Sequence, residues 1–364
     1  MSRSAIATIH LGAMRSNLQR IRLLAPHSRV MAVVKADGYG HGLERVARAL
    51  AAADAFGVAS IADGQRLRAA GVAQRVVVLS GIDEAGDLAE VRRLDLDIVV
   101  HHQAQIELIA AERDLRPLRV WLKLDTGMHR LGVAPECAAA LRDALLAMPQ
   151  IAREIVVMSH FASSDDYDGA KTPAQLIQFH TSTDQWRCAR SIANSAAIVG
   201  YTDSQLEWVR AGGLLYGLSV VAGKTGADFG FRPAMSLSSK LIAINRVAKG
   251  ECIGYGETWQ CPEDMDIGIV AMGYGDGYPR SAPSGTAVLL NGRRASIVGR
   301  VSMDLMSVDL RAHADARINH RVLLWGPQLP VELLADAAGT ISYELTCGVT
   351  RRVMVLEDET ALDD

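Results

Sequence analysis

Between about residues 30 and 210, short apolar runs rich in β-branched residues alternate with segments whose apolar residues recur at helical spacing. Strands that are apolar almost throughout are typical of a parallel sheet covered by helices. Eight strand–helix units in roughly 200 residues predict a closed (β/α)8 TIM barrel, with a doubly wound open sheet as the structural alternative. The predicted strands are Val30–Val34, Ala55–Ala59, Val76–Leu79, Asp97–Val100, Leu118–Leu124, Glu154–Met158, Arg190–Ala193 and Glu207–Val209. The predicted helices between them include Leu43–Ala53, Ile61–Ala70, Gln103–Arg113, Pro135–Ala147 and Pro173–Arg187.

After Arg232-Pro233 the pattern changes, because strand-like segments now follow one another directly. These segments are Met235–Val247, Asp266–Gly273, Ala287–Leu290, Arg294–Val298, Leu305–Leu310 and Arg321–Trp325, and helical spacing is confined to Val331–Ala338 and Tyr343–Cys347. Asn291-Gly292 is a strong hairpin signal between two of the strands. We therefore predict an α/β protein with a barrel over residues 1–231 and a mostly-β domain over residues 232–364.

Composition narrows the class of protein. Of the 364 residues, 49% are hydrophobic and 22% charged, which is typical of globular domains. The net charge of −3 argues against nucleic acid or an anionic membrane surface as the main partner. The five cysteines form no CxxC pair, so we predict no metal site and no disulfide framework. No long apolar run and no clear signal peptide are visible, which predicts a cytoplasmic protein without a membrane span.

A lysine at the end of an apolar strand is the first candidate for chemistry. Only six of the 38 basic residues are lysines, and Lys35 closes the first predicted strand, where the active sites of barrels lie. A Gly-rich turn that contains Tyr39 follows it and suits close backbone approach to a ligand. A desolvated lysine loses its proton more easily and forms a Schiff base with a carbonyl, which points to pyridoxal 5′-phosphate (PLP). The alternative is a lysine whose amine merely reaches solvent.

Polar residues also follow the later strands of the predicted barrel. Lys123 and Arg130 come after the fifth strand, His160 after the sixth, Ser195 after the seventh, and Arg210 with Gly212 and Gly213 after the eighth. The Ser195 hydroxyl and the two glycine N–H groups match the usual phosphate site of barrel enzymes, which lies on the late strands. The sequence thus predicts one polar site at the carboxyl ends of the strands.

Nine segments carry a resemblance to a known family. They are AVVKADGYGHG, KLDTGMHRLG, SHFASSD, ANSAA, VRAGGLLYG, GYGETW, GYGDGYPR, VGRVSMD and SYELTCGVTRR, in this order across residues 30–352. The chain resembles the alanine racemases, PLP-dependent barrel enzymes that interconvert L-alanine and D-alanine. The resemblance implies a homodimer with shared active sites that either supplies D-alanine for peptidoglycan or serves D-alanine catabolism.

The resemblance also assigns roles to the two proposed bases and their neighbours. Lys35 would hold PLP and act as one base, and Tyr255, from the partner subunit, would be the second base on the opposite face of the cofactor. An unperturbed tyrosine has a pKa of about 10 and is a poor base near pH 7, so it needs neighbours that favour the phenolate. His160 and Arg210 resemble those neighbours. Arg210 would also face the pyridine nitrogen and keep it unprotonated.

Further residues are assigned to binding by the same resemblance. Arg130 would bind the phenolic oxygen of PLP and the substrate carboxylate, and a carbamylated Lys123 would orient it, with an unmodified lysine as the alternative. The phosphate would be held by Tyr39, Ser195, Gly212, Gly213 and Tyr343. Met303 and Asp304 would line the substrate pocket, and Asp165, Tyr274, Arg280, Arg300 and Tyr343 would form a gate in the access corridor. One departure is Ser191, where family members often have a histidine, so a packing contact on the cofactor ring is expected to be missing.

Other classes of protein fit parts of the pattern. A barrel-type PLP amino-acid decarboxylase shares the lysine but would carry an acidic group in place of Arg210. A metal-dependent barrel hydrolase would use Lys123 as a carbamate bridge, yet no HxH pair is present. A PLP-carrier protein, which is not an enzyme, would lack residues 233–364. An amino-acid racemase of broader specificity is the remaining alternative, and alanine is the predicted substrate.

Overall fold

The computed structural model describes residues 4–360, and its strands alternate with helices up to residue 211. In chain order the strands are β1 (Ile6–His10), β2 (Arg29–Val33), β3 (Ala55–Val58), β4 (Arg75–Val78), β5 (Asp97–Val100), β6 (Leu118–Lys123), β7 (Ile151–Met158), β8 (Arg190–Ser191), β9 (Trp208–Ala211), β10 (Met235–Val247), β11 (Met265–Val270), β12 (Ala287–Leu290), β13 (Arg293–Val298), β14 (Met306–Asp309), β15 (Arg321–Trp325) and β16 (Met354–Asp358). The right-handed helices are Leu11–Leu24, Leu43–Ala49, Ile61–Ala69, Ala85–Arg93, Gln103–Ala111, Pro135–Leu146, Lys171–Thr183, Ser195–Gly200, Val331–Ala338 and Ser342–Cys347. Within residues 4–360, no helix is long and apolar enough to cross a membrane.

Strands β2 to β9 form the predicted barrel. They lie side by side in the order β9-β2-β3-β4-β5-β6-β7-β8, and each strand runs parallel to its neighbours in this order. Two hydrogen bonds join the β8 end of this order to β9 at the other end. The Arg210 N–H donates to the Ala193 carbonyl at 3.0 Å, and the Ser191 hydroxyl donates to the Trp208 carbonyl at 3.0 Å. The closed (β/α)8 barrel is confirmed, and the open doubly wound sheet is excluded.

The amino-terminal end of the barrel is closed by a buried ion cluster. Asp97, the first residue of β5, has no exposed surface and accepts hydrogen bonds from Arg75 Nε at 3.0 Å, Arg119 Nε at 2.6 Å and the Trp121 indole at 2.9 Å. The Trp121 and Trp208 rings pack edge to face above it, with centroids 5.3 Å apart. Polar contacts at this end stabilise the barrel, and the opposite end is left for a ligand site.

A second sheet is built from the chain after the barrel, together with β1. Its strand order is β11-β14-β13-β12-β15-β10-β1-β16, and β10 also pairs with β11. β1 runs antiparallel to β10 and parallel to β16. Asn291 and Gly292 turn between β12 and β13 with φ of 47° and 80°, as the hairpin signal predicts. The β-rich second domain is confirmed.

β1 precedes the barrel in the chain, yet it pairs within the second sheet. The division of the chain into two domains at residue 232 therefore stays a prediction. A five-residue apolar strand carries no local signal for the sheet it will join. The ends of the predicted ranges, residues 1–3 and 361–364, lie outside the described residues.

Candidate active site

The chain leaves β2 through a left-handed turn that starts after Lys35. Ala36, Asp37, Gly38 and Tyr39 have φ of 52°, 53°, 62° and 53°. Clashes between Cβ and the following carbonyl make this conformation unfavourable by roughly 1–2 kcal/mol for each non-glycine residue. Such a turn persists only where the surrounding structure enforces it, and it is therefore typical of functional sites.

A cavity of about 940 Å³ opens at this carboxyl-terminal end of the barrel. The predicted site residues that line it are Lys35, Tyr39, Lys123, Arg130, His160, Asp165, Ser195, Arg210, Gly212, Gly213 and Tyr343. They come from the ends of different barrel strands, except Tyr343, which lies on the Ser342–Cys347 helix of the second domain. Residues far apart in sequence thus face one common space.

The amines of two lysines in this cavity are easier to deprotonate than an ordinary lysine. Part of the Lys35 side chain is exposed to the cavity, but the surrounding protein desolvates the amine and lowers its pKa, with a further contribution from Arg130. Burial lowers the pKa of Lys123 to about 8, and the nearby charges of Arg210 and Arg130 act in the same direction. Each lysine therefore reaches its neutral, nucleophilic form closer to physiological pH.

Arg210 is buried and held on several sides. Its Nη1 donates to the Ser191 hydroxyl at 2.7 Å, and its Nη2 donates to the Ser159 carbonyl at 2.5 Å. Nη2 also lies 3.2 Å from His160 Nδ1. Because an arginine only donates, the Nδ1 of His160 accepts this hydrogen bond and its other ring nitrogen faces away from Arg210.

The electrostatics of this pair keep His160 neutral. Burial, followed by the charge of Arg210, lowers the pKa of His160 well below its ordinary value. Burial and the charge of Arg130 lower the pKa of Arg210 to about 9, which still leaves its guanidinium mostly protonated at pH 7. The site therefore pairs a fixed positive charge with a neutral imidazole.

Hydroxyl groups and two glycines form a cradle, which we define as Tyr39, Ser195, Gly212, Gly213 and Tyr343. The Gly212 N–H donates to the Ser195 hydroxyl at 2.8 Å. A Cβ atom on Gly212 would lie 2.7 Å from the Tyr39 hydroxyl, and one on Gly213 would clash with the Tyr343 hydroxyl. Glycine at both positions therefore keeps open a space lined by hydrogen-bond donors, and the nearby amino terminus of the Ser195–Gly200 helix adds its dipole.

The loop that carries Arg130 is anchored by Asp125. Its Oδ1 accepts hydrogen bonds from the N–H groups of Gly127, Met128 and His129 at 2.9, 3.0 and 3.0 Å. These bonds fix a tight turn directly after β6, in which His129 has a φ of 57°. The Arg130 side chain is thereby presented at the mouth of the cavity, within electrostatic range of Lys35 and Lys123.

The other predicted site residues lie on the second domain. None of them belongs to the described residues that line the cavity. They are Tyr255, Tyr274, Arg280, Arg300, Met303 and Asp304. Several lie close to one another: the Tyr274 N–H donates to the Ser302 carbonyl at 3.0 Å, and the Arg300 guanidinium borders Gly256. Tyr255 is 70% exposed and Met303 52% exposed. Within this chain the structure does not bring these residues to Lys35.

Sequence reasoning missed several residues that support the site. Tyr216 stacks on Tyr39 with ring centroids 4.7 Å apart, and its hydroxyl donates to the Val33 carbonyl at 3.1 Å. Glu332, on the second domain, lies at the cavity and accepts the Ser219 N–H at 2.7 Å. Tyr216 lies in one of the segments that carry the family resemblance, but nothing in the sequence around Glu332 indicates its contact with the barrel.

This fold and this site define a class of protein: a barrel enzyme with a β-rich second domain, whose site combines an activated lysine amine, a buried arginine and an anion cradle. Comparisons with known proteins agree. Residues 9–220 match the family model described as alanine racemase, N-terminal domain, and residues 234–356 match the one described as alanine racemase, C-terminal domain. The chain belongs to the alanine racemase family.

Individual relatives cover nearly the whole chain. The alanine racemase of Nitrosococcus oceani is 50% identical over 347 residues, which cover 95% of this chain and 97% of that protein. The alanine racemase of Vibrio parahaemolyticus is 47% identical over 353 residues, covering 96% of this chain and 98% of that protein. A crystal structure of the biosynthetic alanine racemase from Pseudomonas aeruginosa matches with a TM-score of 0.95 at 42% identity, covering 98% of this chain and 100% of that one. The resemblance expected from the sequence is confirmed, and with it the expectation of an enzyme.

Proposed function

We propose that this protein interconverts L-alanine and D-alanine, with PLP bound in the barrel cavity and Lys35 and Tyr255 acting as the two bases. The observation that carries the proposal is the convergence of the Lys35 amine, the Arg210 guanidinium and the anion cradle in one cavity. Membership of the alanine racemase family supports the same reaction.

The residues present fit PLP. The cradle offers hydroxyl groups of Tyr39, Ser195 and Tyr343 around two glycines, whose missing Cβ atoms leave the room that a phosphate needs. Lys35, with its lowered pKa, is suited to bond the aldehyde carbon of the cofactor. Arg210 is the cation assigned to the pyridine nitrogen.

When bound, PLP supplies an electron-withdrawing ring that acidifies the α-C–H bond of the amino acid joined to it. The amine of Lys35 would be the base for the α-proton on one face. The phenolate of Tyr255 accepts or returns the proton on the other face. Inversion requires both residues, because a single base returns the proton to the face from which it came.

Arg210 and His160 are assigned two linked tasks. A guanidinium that keeps its own proton leaves the pyridine nitrogen unprotonated, which moderates the electron withdrawal and favours simple proton return over side reactions. A neutral His160 whose Nδ1 accepts from Arg210 has its Nε2 available to hydrogen-bond the tyrosine base. We therefore propose an arginine–histidine–tyrosine chain that stabilises the phenolate of Tyr255.

We further propose a homodimer in which Tyr255, Met303 and Asp304 enter the partner's cavity. The high exposure of Tyr255 and Met303 supports this arrangement, because large side chains of this kind are enriched at interfaces. The Tyr274, Arg280 and Arg300 gate is proposed to come from the same surface, and Asp165 faces it from the cavity.

Arg130 is proposed to bind the substrate carboxylate, and Lys123 to orient Arg130 as a carbamate. Two observations support the modification: burial and two arginine charges lower the pKa of Lys123 to about 8, and an anion at this position would be compensated by those same arginines. Carbamate formation consumes a neutral amine, which this low pKa makes available.

The test is an amino-acid panel. The purified protein, saturated with PLP, is incubated with each of the nineteen chiral standard amino acids, and enantiomers are separated by chiral chromatography. Racemisation of alanine above all others, dependent on added PLP after the cofactor has been removed, supports the proposal. Comparable turnover of larger or basic amino acids would indicate the broader racemase, and release of CO2 without racemisation would indicate the decarboxylase.

Two aspects of the biology stay predictions. The solved relative from Pseudomonas aeruginosa is described as biosynthetic, which supports a role in supplying D-alanine for peptidoglycan rather than in its catabolism. A requirement for D-alanine after deletion of the gene would separate these roles. The cytoplasmic location stays an expectation from the sequence.

A further inference from the structure

His41 lies directly behind the left-handed turn, and the proposed reaction does not use it. Its side chain has no exposed surface, and its Nδ1 lies 2.9 Å from the Tyr39 carbonyl oxygen and 3.1 Å from the Gly38 carbonyl oxygen. A carbonyl only accepts hydrogen bonds, so Nδ1 carries the proton and donates it to these two oxygens. Nε2 is buried without a hydrogen-bond partner among the described residues and is therefore the unprotonated nitrogen.

The imidazole acts as a neutral group. Burial lowers the pKa of His41 to about 4, although the two carbonyl hydrogen bonds act in the opposite direction. Around neutral pH the ring therefore provides one fixed N–H donor, and a lysine or arginine at this position would bring a buried charge instead.

His41 contacts both the backbone and the ring environment of Tyr39. The two carbonyls that it binds belong to residues of the turn with φ of 62° and 53°, so its N–H stabilises a conformation that is otherwise unfavourable. Its ring centroid lies 4.7 Å from that of Tyr216, and Tyr216 stacks on Tyr39 at the same distance. The Tyr39 hydroxyl then faces Gly212 in the cradle.

We propose that His41 is a positioning residue: it holds the Tyr39 hydroxyl in the cradle and so makes the site prefer a phosphorylated pyridoxal over an unphosphorylated one. The inference rests on the proposed function, since it concerns the same cavity. It assigns to His41 an effect on one part of the ligand, the phosphate, and none on the ring or the aldehyde.

The experiment measures the dissociation constants of the cofactor-free full-length protein for PLP and for pyridoxal, which lacks the phosphate. His41→Leu removes the donor at similar volume, and His41→Asn is the matched control, because its amide nitrogen occupies the position of Nδ1. We expect His41→Leu and Tyr39→Phe each to reduce the preference for PLP by roughly 10- to 100-fold, the effect of losing one hydrogen bond to a charged group. We expect pyridoxal affinity to stay within about twofold, and His41→Asn to keep most of the preference.

The double variant His41→Leu/Tyr39→Phe separates positioning from general support of the fold. If His41 acts through the Tyr39 hydroxyl, the double variant loses no more of the preference than Tyr39→Phe alone. Additive losses would overturn the proposal, as would a His41→Leu variant that weakens both ligands equally. Each variant is checked by circular dichroism and thermal unfolding.

Two outcomes keep the test decisive. If His41→Leu does not fold, His41→Ala, which also lacks the donor, replaces it. If neither folds, Tyr39→Phe carries the test: a reduced preference for PLP in that variant supports the proposal, and an unchanged preference overturns it. The wild type tests the proposed function separately. A wild type that neither binds PLP nor racemises alanine defeats the proposed function, whereas an active wild type with an unchanged ligand preference in His41→Leu defeats only the role of His41.

Discussion

The proposed sharing of each active site between two subunits makes a quantitative prediction about mixtures of inactive variants. Lys35 lines the cavity of its own chain, whereas Tyr255 is 70% exposed on the second domain and does not line that cavity. If Tyr255 acts in the partner's cavity, Lys35→Ala and Tyr255→Phe homodimers should each be nearly inactive, because every site lacks one base. In a mixed dimer, one site receives both substitutions and the other receives neither.

The size of the recovery follows from two-fold symmetry. When equal amounts of the two variants pair at random, about half of the dimers are mixed, and each of these has one intact site of two, so total activity should approach about one quarter of the wild type. Isolated mixed dimers should reach about one half. If both bases came from one chain, every site would keep one lesion and no activity would return.

The assay uses two affinity tags. The variants are co-expressed with different tags, the doubly tagged dimer is purified, and alanine racemisation is measured beside each homodimer. Bound cofactor and circular dichroism confirm that the isolated dimer is folded and loaded. Activity of that dimer no higher than the homodimers would refute the contribution of Tyr255 to the partner's site.

Four further predictions concern single chains. Lys35→Ala should abolish racemisation and covalent capture of PLP, and a borohydride-stabilised PLP adduct found by mass spectrometry on another lysine would contradict the assignment of Lys35. Arg210→Glu should allow the pyridine nitrogen to be protonated, so racemisation falls and transamination of alanine to pyruvate rises; unchanged product ratios would show that Arg210 does not face that nitrogen. The pKa of Lys123 is lowered to about 8, so its neutral fraction grows as pH rises through 8. Because less of the Lys123 amine is neutral below pH 8, removal of CO2 should lower activity most in that range. Addition of bicarbonate should restore the activity. No response to bicarbonate would favour an unmodified lysine. Asp97→Ala at the closed end should lower the unfolding free energy by roughly 2 kcal/mol in urea titrations, without changing the affinity for PLP. It removes the acceptor of the Trp121 indole N–H and the carboxylate partner of Arg75, whereas Arg119 keeps its contact with Asp95.

Much of the barrel and its site could be predicted from local sequence. Buried parallel strands are marked by apolar runs, and active-site residues of a barrel follow those runs, so the sequence alone places Lys35, His160 and Arg210 at one end of the barrel. The two-residue strand β8 has almost no pattern of its own.

The features of the site that local sequence does not indicate depend on contacts between residues that are distant in the chain. Ala36 and Asp37 adopt positive φ although neither is glycine, so the turn is set by its surroundings rather than by its composition. At Ser191 the sequence predicts only a missing ring contact, yet the Ser191 hydroxyl accepts a hydrogen bond from Arg210 and donates one to the Trp208 carbonyl. That role follows from the closure of the barrel between β8 and β9, which no local pattern encodes.

The position of β1 has a consequence for how the protein is made. β1 is synthesised before the barrel, but its partners β10 and β16 are synthesised after it. While the ribosome is still producing the barrel, residues 6–10 have no strand to pair with, and their backbone N–H and carbonyl groups stay available to other chains. The barrel strands, which pair with neighbours close in sequence, are free to assemble first, and the second domain closes last. A nascent chain that stalls after the barrel therefore carries an unpaired strand whose backbone groups are open to pairing with a second chain.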